Sequence, residues 1–176
     1  MNNRPLVIFT KRLILTSIKE ENRDELIALA ENKDIKKTYM LPDFHNEEEK
    51  EKLFLRLKTV SENPDKFVYG IYLSTHLIGF INEVTKDGDT IEMGYFISPA
   101  YWNNGYASEA LEECIKELFK IGYNHVKCAH FEENLASARV MQKCRMKLSG
   151  EVEIVEYRNK KYKCIYYQID NDNLIN

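Results

Sequence analysis

Residues 101–122 read YWNNGYASEALEECIKELFKIG, a tight loop around Gly105 that runs straight into a helix. Ala107, Ala110, Leu111, Cys114, Ile115, Leu118 and Phe119 recur at i, i+3, i+4, i+7, i+8, i+11 and i+12, which makes one apolar stripe. Glu109, Glu112, Glu113, Lys116, Glu117 and Lys120 take the opposite face, and Gly122 stands where a C-terminal cap is expected. Immediately upstream, residues 91–97 form an apolar β-like run. Strand, glycine turn and helix in that order aim free backbone N–H groups, and the positive end of the helix dipole, at whatever lies beyond the strand. Such a place suits a phosphate. A helix that merely starts after a Pro-containing turn would show the same local pattern, so both readings stay open at this point.

Outward from that stretch, the chain before it supplies a meander. Residues 67–73, 77–84 and 91–97 read as three strands, with Asp87-Gly88 as a strong hairpin signal between the last two. Pro99 breaks the ladder before the loop. Further upstream, Arg12-Leu13-Ile14-Leu15 reads as a first strand. Asn22 with Glu25, and Asn46 with Glu49, read as N-caps of two helices, the second ending at Asn63-Pro64. The charged run EEEKEK at residues 47–52 reads as a solvated first turn. After the long helix, residues 125–131 read as a strand that a strand–helix–strand crossover places parallel to the one before the helix. Asn134 starts another helix, and residues 151–157 and 162–169 read as a closing hairpin turning at Asn159-Lys160. The order β-α-α-β-β-β-α-β-α-β-β predicts an α+β (mixed α/β) domain spanning residues 1–176 around one sheet.

The bulk numbers narrow the function classes. The chain has 176 residues, long enough for a sizeable core, with 44% apolar and 30% charged residues. A net charge of −3 argues against general nucleic-acid binding. The N-terminal residues lack an apolar signal region and no window approaches a transmembrane span, which predicts a cytoplasmic protein not bound to membrane. Cys114, Cys128, Cys144 and Cys164 form no CxxC pair and read as buried free thiols. The four histidines lack metal-ligand spacing, so no metal is expected.

With these residues, the chain resembles the GNAT N-acetyltransferase superfamily, and most of all the branch containing ribosomal-protein N-terminal and polyamine acetyltransferases. The family's acetyl-CoA signature, R/Q-x-x-G-x-G/A, falls on Trp102-Asn103-Asn104-Gly105-Tyr106-Ala107, with Trp102 in place of Arg or Gln. Gly105-Tyr106-Ala107-Ser108-Glu109-Ala110, the E-x-G-Y of Glu92, Gly94 and Tyr95, the N-x-x-S of Asn134 and Ser137, and the opening Lys11-Arg12-Leu13-Ile14-Leu15 all match that branch. The resemblance covers nearly the whole chain. It implies a mixed, mostly antiparallel sheet of about seven strands flanked by about four helices. Two departures stand out. The usual K-x-G-F reads Lys143-Cys144-Arg145-Met146, so a glycine that would suit a left-handed helix end is lost. The tyrosine that many members use as general acid, seven residues after the Asn, is Met141.

The resemblance implies an acyltransferase in which an amine attacks the acetyl-CoA thioester directly. Backbone N–H groups of Asn103, Asn104, Gly105, Tyr106 and Ala107, with Ser108, would hold the pyrophosphate, and a side chain at Gly105 should clash. Backbone groups of Tyr95, Phe96 and Ile97 would pair with the pantetheine arm and polarise the thioester carbonyl, and Asn134 would bond the cofactor's amide region. The amine arrives mostly protonated, so a base is useful, and Glu92, interrupting an apolar strand, is the candidate, with Glu83 as a weaker substitute. Ser137, or a water, would serve the departing thiolate, itself a fair leaving group with a pKa near roughly 8.5. His130 reads as a bland polar residue near the site, Tyr106 as packing or adenine-side contact, and Tyr39 and Phe44 as lining of the acceptor pocket. The acceptor would be a protein N-terminus or a small-molecule amine such as a polyamine, amino acid or aminoglycoside. A non-catalytic acyl-CoA-binding or regulatory domain is the alternative that the missing tyrosine leaves open. An exposed C-terminal hairpin edge allows a homodimer.

Overall fold

A computed structural model describes residues 4–174. The strands are β1 (Ile8–Phe9), β2 (Leu13–Thr16), β3 (Val68–Leu73), β4 (His76–Asp87), β5 (Thr90–Ile97), β6 (His125–Phe131), β7 (Lys147–Tyr157) and β8 (Lys160–Asp170). The helices are α1 (Arg23–Glu31), α2 (Lys33–Lys36), α3 (Glu47–Glu62), α4 (Tyr106–Lys120) and α5 (Leu135–Lys143). All eight strands form one sheet in the order β1-β2-β3-β4-β5-β6-β8-β7. Every neighbouring pair is antiparallel except β5–β6, which the crossover through α4 makes parallel.

The strands and helices are one more each than the residue pattern predicts. β1 has two residues and α2 four, both too short for a period to declare itself. α2 is nucleated by Asn32, whose side chain accepts from the N–H groups of Asp34 and Ile35. Asn46 caps α3 through the Glu49 N–H as expected. Asn22 sits at the N-cap position of α1, but its side chain accepts from Lys19 N–H and the Tyr72 hydroxyl instead of capping that helix. β7 starts four residues earlier than its apolar pattern, because its exposed first half is bulged between Leu148 and Val152. The closing turn falls on Arg158 and Asn159, both at positive φ, rather than on Asn159-Lys160.

The α4 stripe packs on one face of the sheet, where Ala110, Leu111, Cys114, Ile115 and Leu118 meet Ile91, Met93, Val126 and Cys128. α1 and α3 cover the other face of the first half, placing Leu26, Leu29 and Phe54 against Val68, Phe80 and Phe96. The four cysteines are free and buried.

The parallel pairing that positions the site is short. β5 and β6 pair only from Thr90↔His125 to Met93↔Cys128. Beyond Met93, β5 continues to Ile97 on β4, while β6 continues to Phe131 on β8. The sheet therefore splits into a wedge, and the β5 edge facing β6 is left unpaired from Gly94 onward.

Candidate active site

A cavity of about 430 Å³ runs through this wedge. Its lining includes Tyr95 and Ile97, packed on the α4 side, and Tyr39 and Phe96, packed together on the α1 side with ring centroids 5.0 Å apart. Both sheet faces thus open into one space.

One wall is the loop before α4. Asn103 (φ 62°) and Gly105 (φ 80°) are both left-handed, which turns the chain sharply into the helix. Gly105 is the N-cap residue and has no side chain to cap with, so the first-turn N–H groups of Tyr106, Ala107 and Ser108 face the cavity end of the helix without a capping side chain. The loop is tied down from three sides. Trp102 Nε1 donates to the Ile97 carbonyl (2.7 Å), Arg12 donates to the Asn104 carbonyl (2.9 Å) and to Glu109 (2.7 Å), and the Arg12 guanidinium stacks 4.4 Å over the Tyr106 ring. Asn104 turns its side chain back onto the Tyr101 and Trp102 carbonyls and is the one residue of 103–108 outside the lining. A Cβ on Gly105 would make only ordinary contacts with Arg12 and Ser108, so within the protein glycine is required by backbone conformation and not by space. The Ser108 hydroxyl donates to the Gly105 carbonyl (3.0 Å).

The second wall is the start of α5. Asn134 caps the helix by accepting from Ser137 N–H, and both line the cavity. The Ser137 hydroxyl meets the Tyr95 hydroxyl at 2.9 Å. Burial pushes Tyr95 well above its ordinary value, so it stays protonated. Met141 is fully buried and offers no proton. Arg145 does adopt the left-handed conformation (φ 62°) in which glycine costs less.

The carboxylates separate clearly. Glu92 is not in the lining. It shares a strand face with Gly94 and Phe96, two positions from the cavity, and accepts from the Thr85 hydroxyl (3.0 Å). Burial raises its carboxyl above the usual range, Glu153 and Glu151 push the same way, and Thr85 opposes them. Glu83 is a poor substitute. Burial would raise it, but Lys86, the Phe67 N–H and Lys66 together hold it below the usual carboxylate range. Glu47 and Glu49 pair with Lys50, Arg23 and His45 at the head of α3, away from the cavity. Tyr39 lines the space, its hydroxyl donating to Asn82 (2.5 Å), whereas Phe44 packs under Lys36 outside it.

His130 is what the residue pattern undervalued. It lines the cavity and is 7% exposed. Its Nδ1 donates to the Phe131 carbonyl (2.8 Å), an acceptor that also takes the Asn134 N–H (2.7 Å). Nε2 is buried and has no partner among the described residues. An orphaned buried polar atom costs about 1–3 kcal/mol. The available signal was a polar side chain alternating with Val126 and Cys128 on an apolar face.

The acetyltransferase (GNAT) domain family matches residues 12–147. A Bacillus subtilis (strain 168) relative, "Uncharacterized N-acetyltransferase YnaD", is 30% identical over 145 residues, 81% of this chain and 84% of the relative. The crystal structure of a GNAT-family acetyltransferase from Bacillus anthracis superposes with a TM-score of 0.81 at 24% identity, covering 94% of this chain and 99% of that one. The microcin C7 self-immunity acetyltransferase MccE, solved with acetyl-CoA and AMP, superposes with a TM-score of 0.79 at 18% identity, covering 91% and 93%.

Proposed function

The chain belongs to the GNAT acetyltransferase family, an acyltransferase that uses acetyl-CoA as donor, and from that premise we propose that it acetylates a primary amine, a protein N-terminus or a small-molecule amine, within the wedge between β5 and β6. The observation that carries the proposal is the cavity itself. It joins an uncapped helix N-terminus to an unpaired strand edge and then to the opposite sheet face. The whole chain, residues 1–176, would act as a single domain.

Acetyl-CoA supplies an activated acetyl thioester. The N–H groups from Asn103 to Ser108 receive its phosphates, with Arg12 bracing the loop behind them. Asn104 contributes through its backbone, since its side chain is spent on the loop. The unpaired edge at Tyr95, Phe96 and Ile97 takes the pantetheine arm as a further strand would be taken, and an N–H there polarises the thioester carbonyl. Trp102 already occupies the Ile97 carbonyl, which leaves the others for the arm. Asn134 and Ser137 close the opposite side, with Tyr95 anchoring Ser137 toward the sulfur.

The acceptor enters from the Tyr39 and Phe96 side. An aliphatic ammonium has a pKa near roughly 10.4 and must lose a proton before attack. Glu92 lies on that face with a raised carboxyl, and takes the proton through one water because it stands outside the lining.

The test is release of free CoA thiol from acetyl-CoA with spermidine, kanamycin, L-methionine and a peptide with a free N-terminal serine, each product checked by mass. Thiol release with one acetylated amine supports the reading. Acetyl-CoA binding with no acetylated amine overturns it in favour of an acyl-CoA-binding domain.

A further inference from the structure

We propose that residues 39–43 are a strap across the acceptor side of the wedge, and that Asp43 is the positioning residue that latches it; this rests on the acetyl-transfer reading above. The strap starts on one half of the parted sheet. Tyr39 lies over Gly94, where the unpaired edge of β5 begins: a Cβ on Gly94 would stand 3.1 Å from the Tyr39 hydroxyl, which itself donates to Asn82 of β4. The strap ends on the other half. The Tyr157 hydroxyl, at the tip of the β7–β8 hairpin, donates to the Leu41 carbonyl (3.0 Å), and its ring packs on Phe131, the last residue of β6, with centroids 6.3 Å apart. β5 and β6 part after Met93↔Cys128, so a segment pinned over Gly94 and beside Phe131 crosses the opening between them.

Asp43 joins the two sides of this crossing. One arm is Lys36 of α2, whose side chain is 7% exposed and whose ammonium donates to Asp43 (2.8 Å), its hydrogen-bond partner among the described residues. A buried ammonium that loses its partner costs far more than a broken surface pair, so this contact outweighs an ordinary surface ion pair. The other arm is Arg158, whose guanidinium donates to the same carboxylate from across the wedge and lies 5.3 Å from the Tyr157 ring centroid. Lys36 above all, with Arg158 and His45 acting the same way, holds the Asp43 carboxyl below its usual range, so it is charged at neutral pH.

The strap carries part of the acceptor wall. Thr38 and Tyr39 line the cavity, and Tyr39 packs edge-on against Phe96. Asp43 and Arg158 are outside the lining, so they act through Tyr39 and not on the acceptor itself. The loop before α4 is held by a separate set of bonds, from Trp102 and Arg12. A loosened strap therefore spoils the fit of the acceptor and spares that of acetyl-CoA.

The test compares wild type with Arg158→Gln, which cuts the arm across the wedge and leaves Lys36 paired, and with Asp43→Asn, which weakens both arms. Acetyl-CoA affinity is read by calorimetry, turnover with whichever of the four amines above wild type acetylates, and backbone amide exchange by mass spectrometry. The expected result in both variants is a rise of about tenfold in KM for the amine, with acetyl-CoA Kd within about twofold of wild type. Amide exchange at residues 38–45 should quicken by about threefold or more while residues 103–108 are unchanged. In Arg158→Gln, an amine KM within about threefold of wild type would overturn the proposal. So would unchanged exchange at residues 38–45, or an acetyl-CoA Kd that rises in step with the amine KM. Wild type that acetylates none of the amines would instead sink the acetyl-transfer reading, and is seen before either variant is made.

Discussion

The Tyr95 hydroxyl lies 2.9 Å from Ser137 Oγ and ties the unpaired edge of β5 to the first turn of α5 across the wedge. This contact fixes a short, freely rotating hydroxyl beside the space the sulfur would occupy. Tyr95→Phe keeps the ring and removes only the bond. It should cost about 1 kcal/mol of stability and lower kcat roughly tenfold with little change in KM for acetyl-CoA. Unchanged kcat would show that the pair only braces the fold.

Glu92→Gln should stabilise the protein at neutral pH. The folded carboxyl titrates above its unfolded value, so between the two values the native state binds more protons and stability falls as pH rises. Removing the charge removes that penalty. The gain in unfolding midpoint should be present at pH 7–8 and fade away as pH falls below roughly 4.3, the ordinary glutamate value. A gain independent of pH would mean that the charge is not its source. The same variant should acetylate more slowly if Glu92 takes the ammonium proton.

Arg145→Gly should raise stability by about 1 kcal/mol, because a left-handed non-glycine residue costs roughly that much and its side chain is exposed. For a chain of 176 residues this is a rise of roughly 2–4 °C in midpoint. No rise would mean that the arginine makes a compensating contact.

Gly79→Ala should be severe. A Cβ there would clash with the Phe96 carbonyl oxygen and stand 2.7 Å from Ile97 Cδ1, against the part of β5 that bears the unpaired edge. A loss of roughly 3 kcal/mol or more is expected in denaturant unfolding. Gly88→Ala is the control, because a Cβ there meets nothing within 4 Å and the cost is conformational alone (φ 57°).

Long periodic elements were legible in the chain and short or contextual ones were not. The α4 stripe, the hairpin between β4 and β5 and the parallel placement of β6 follow from local pattern and handedness, and the structure contains all three, with the hairpin turning on Gly88-Asp89, one residue after the Asp-Gly signal. α2 and β1 are stabilised by Asn32 and by pairing with β2, neither of which leaves a period. Among the candidate site residues, the turn ahead of α4 was readable because a left-handed turn before a helix favours glycine, here Gly105. Glu92 was readable as a charge in an apolar strand, but not its distance from the lining, since that depends on where β5 and β6 part. His130 was underrated for the same reason. Only the divergence after Cys128 turns a strand-end histidine into a cavity wall with an orphaned nitrogen. Trp102 stands at a signature position, yet its bond to the Ile97 carbonyl needs the folded loop.

The central claim, that the wedge holds acetyl-CoA, is tested most directly by thermal unfolding of wild type and Ala136→Trp with and without acetyl-CoA. Ala136 is exposed on the first turn of α5 and lines the cavity, so tryptophan should fill the space and spare the core. At about a hundredfold excess over Kd, linkage should stabilise wild type by roughly 2.7 kcal/mol, a rise of roughly 5–10 °C at this chain length. The account predicts that rise in wild type and none in a normally folded Ala136→Trp. An equal rise in both, or no rise in wild type, would contradict it.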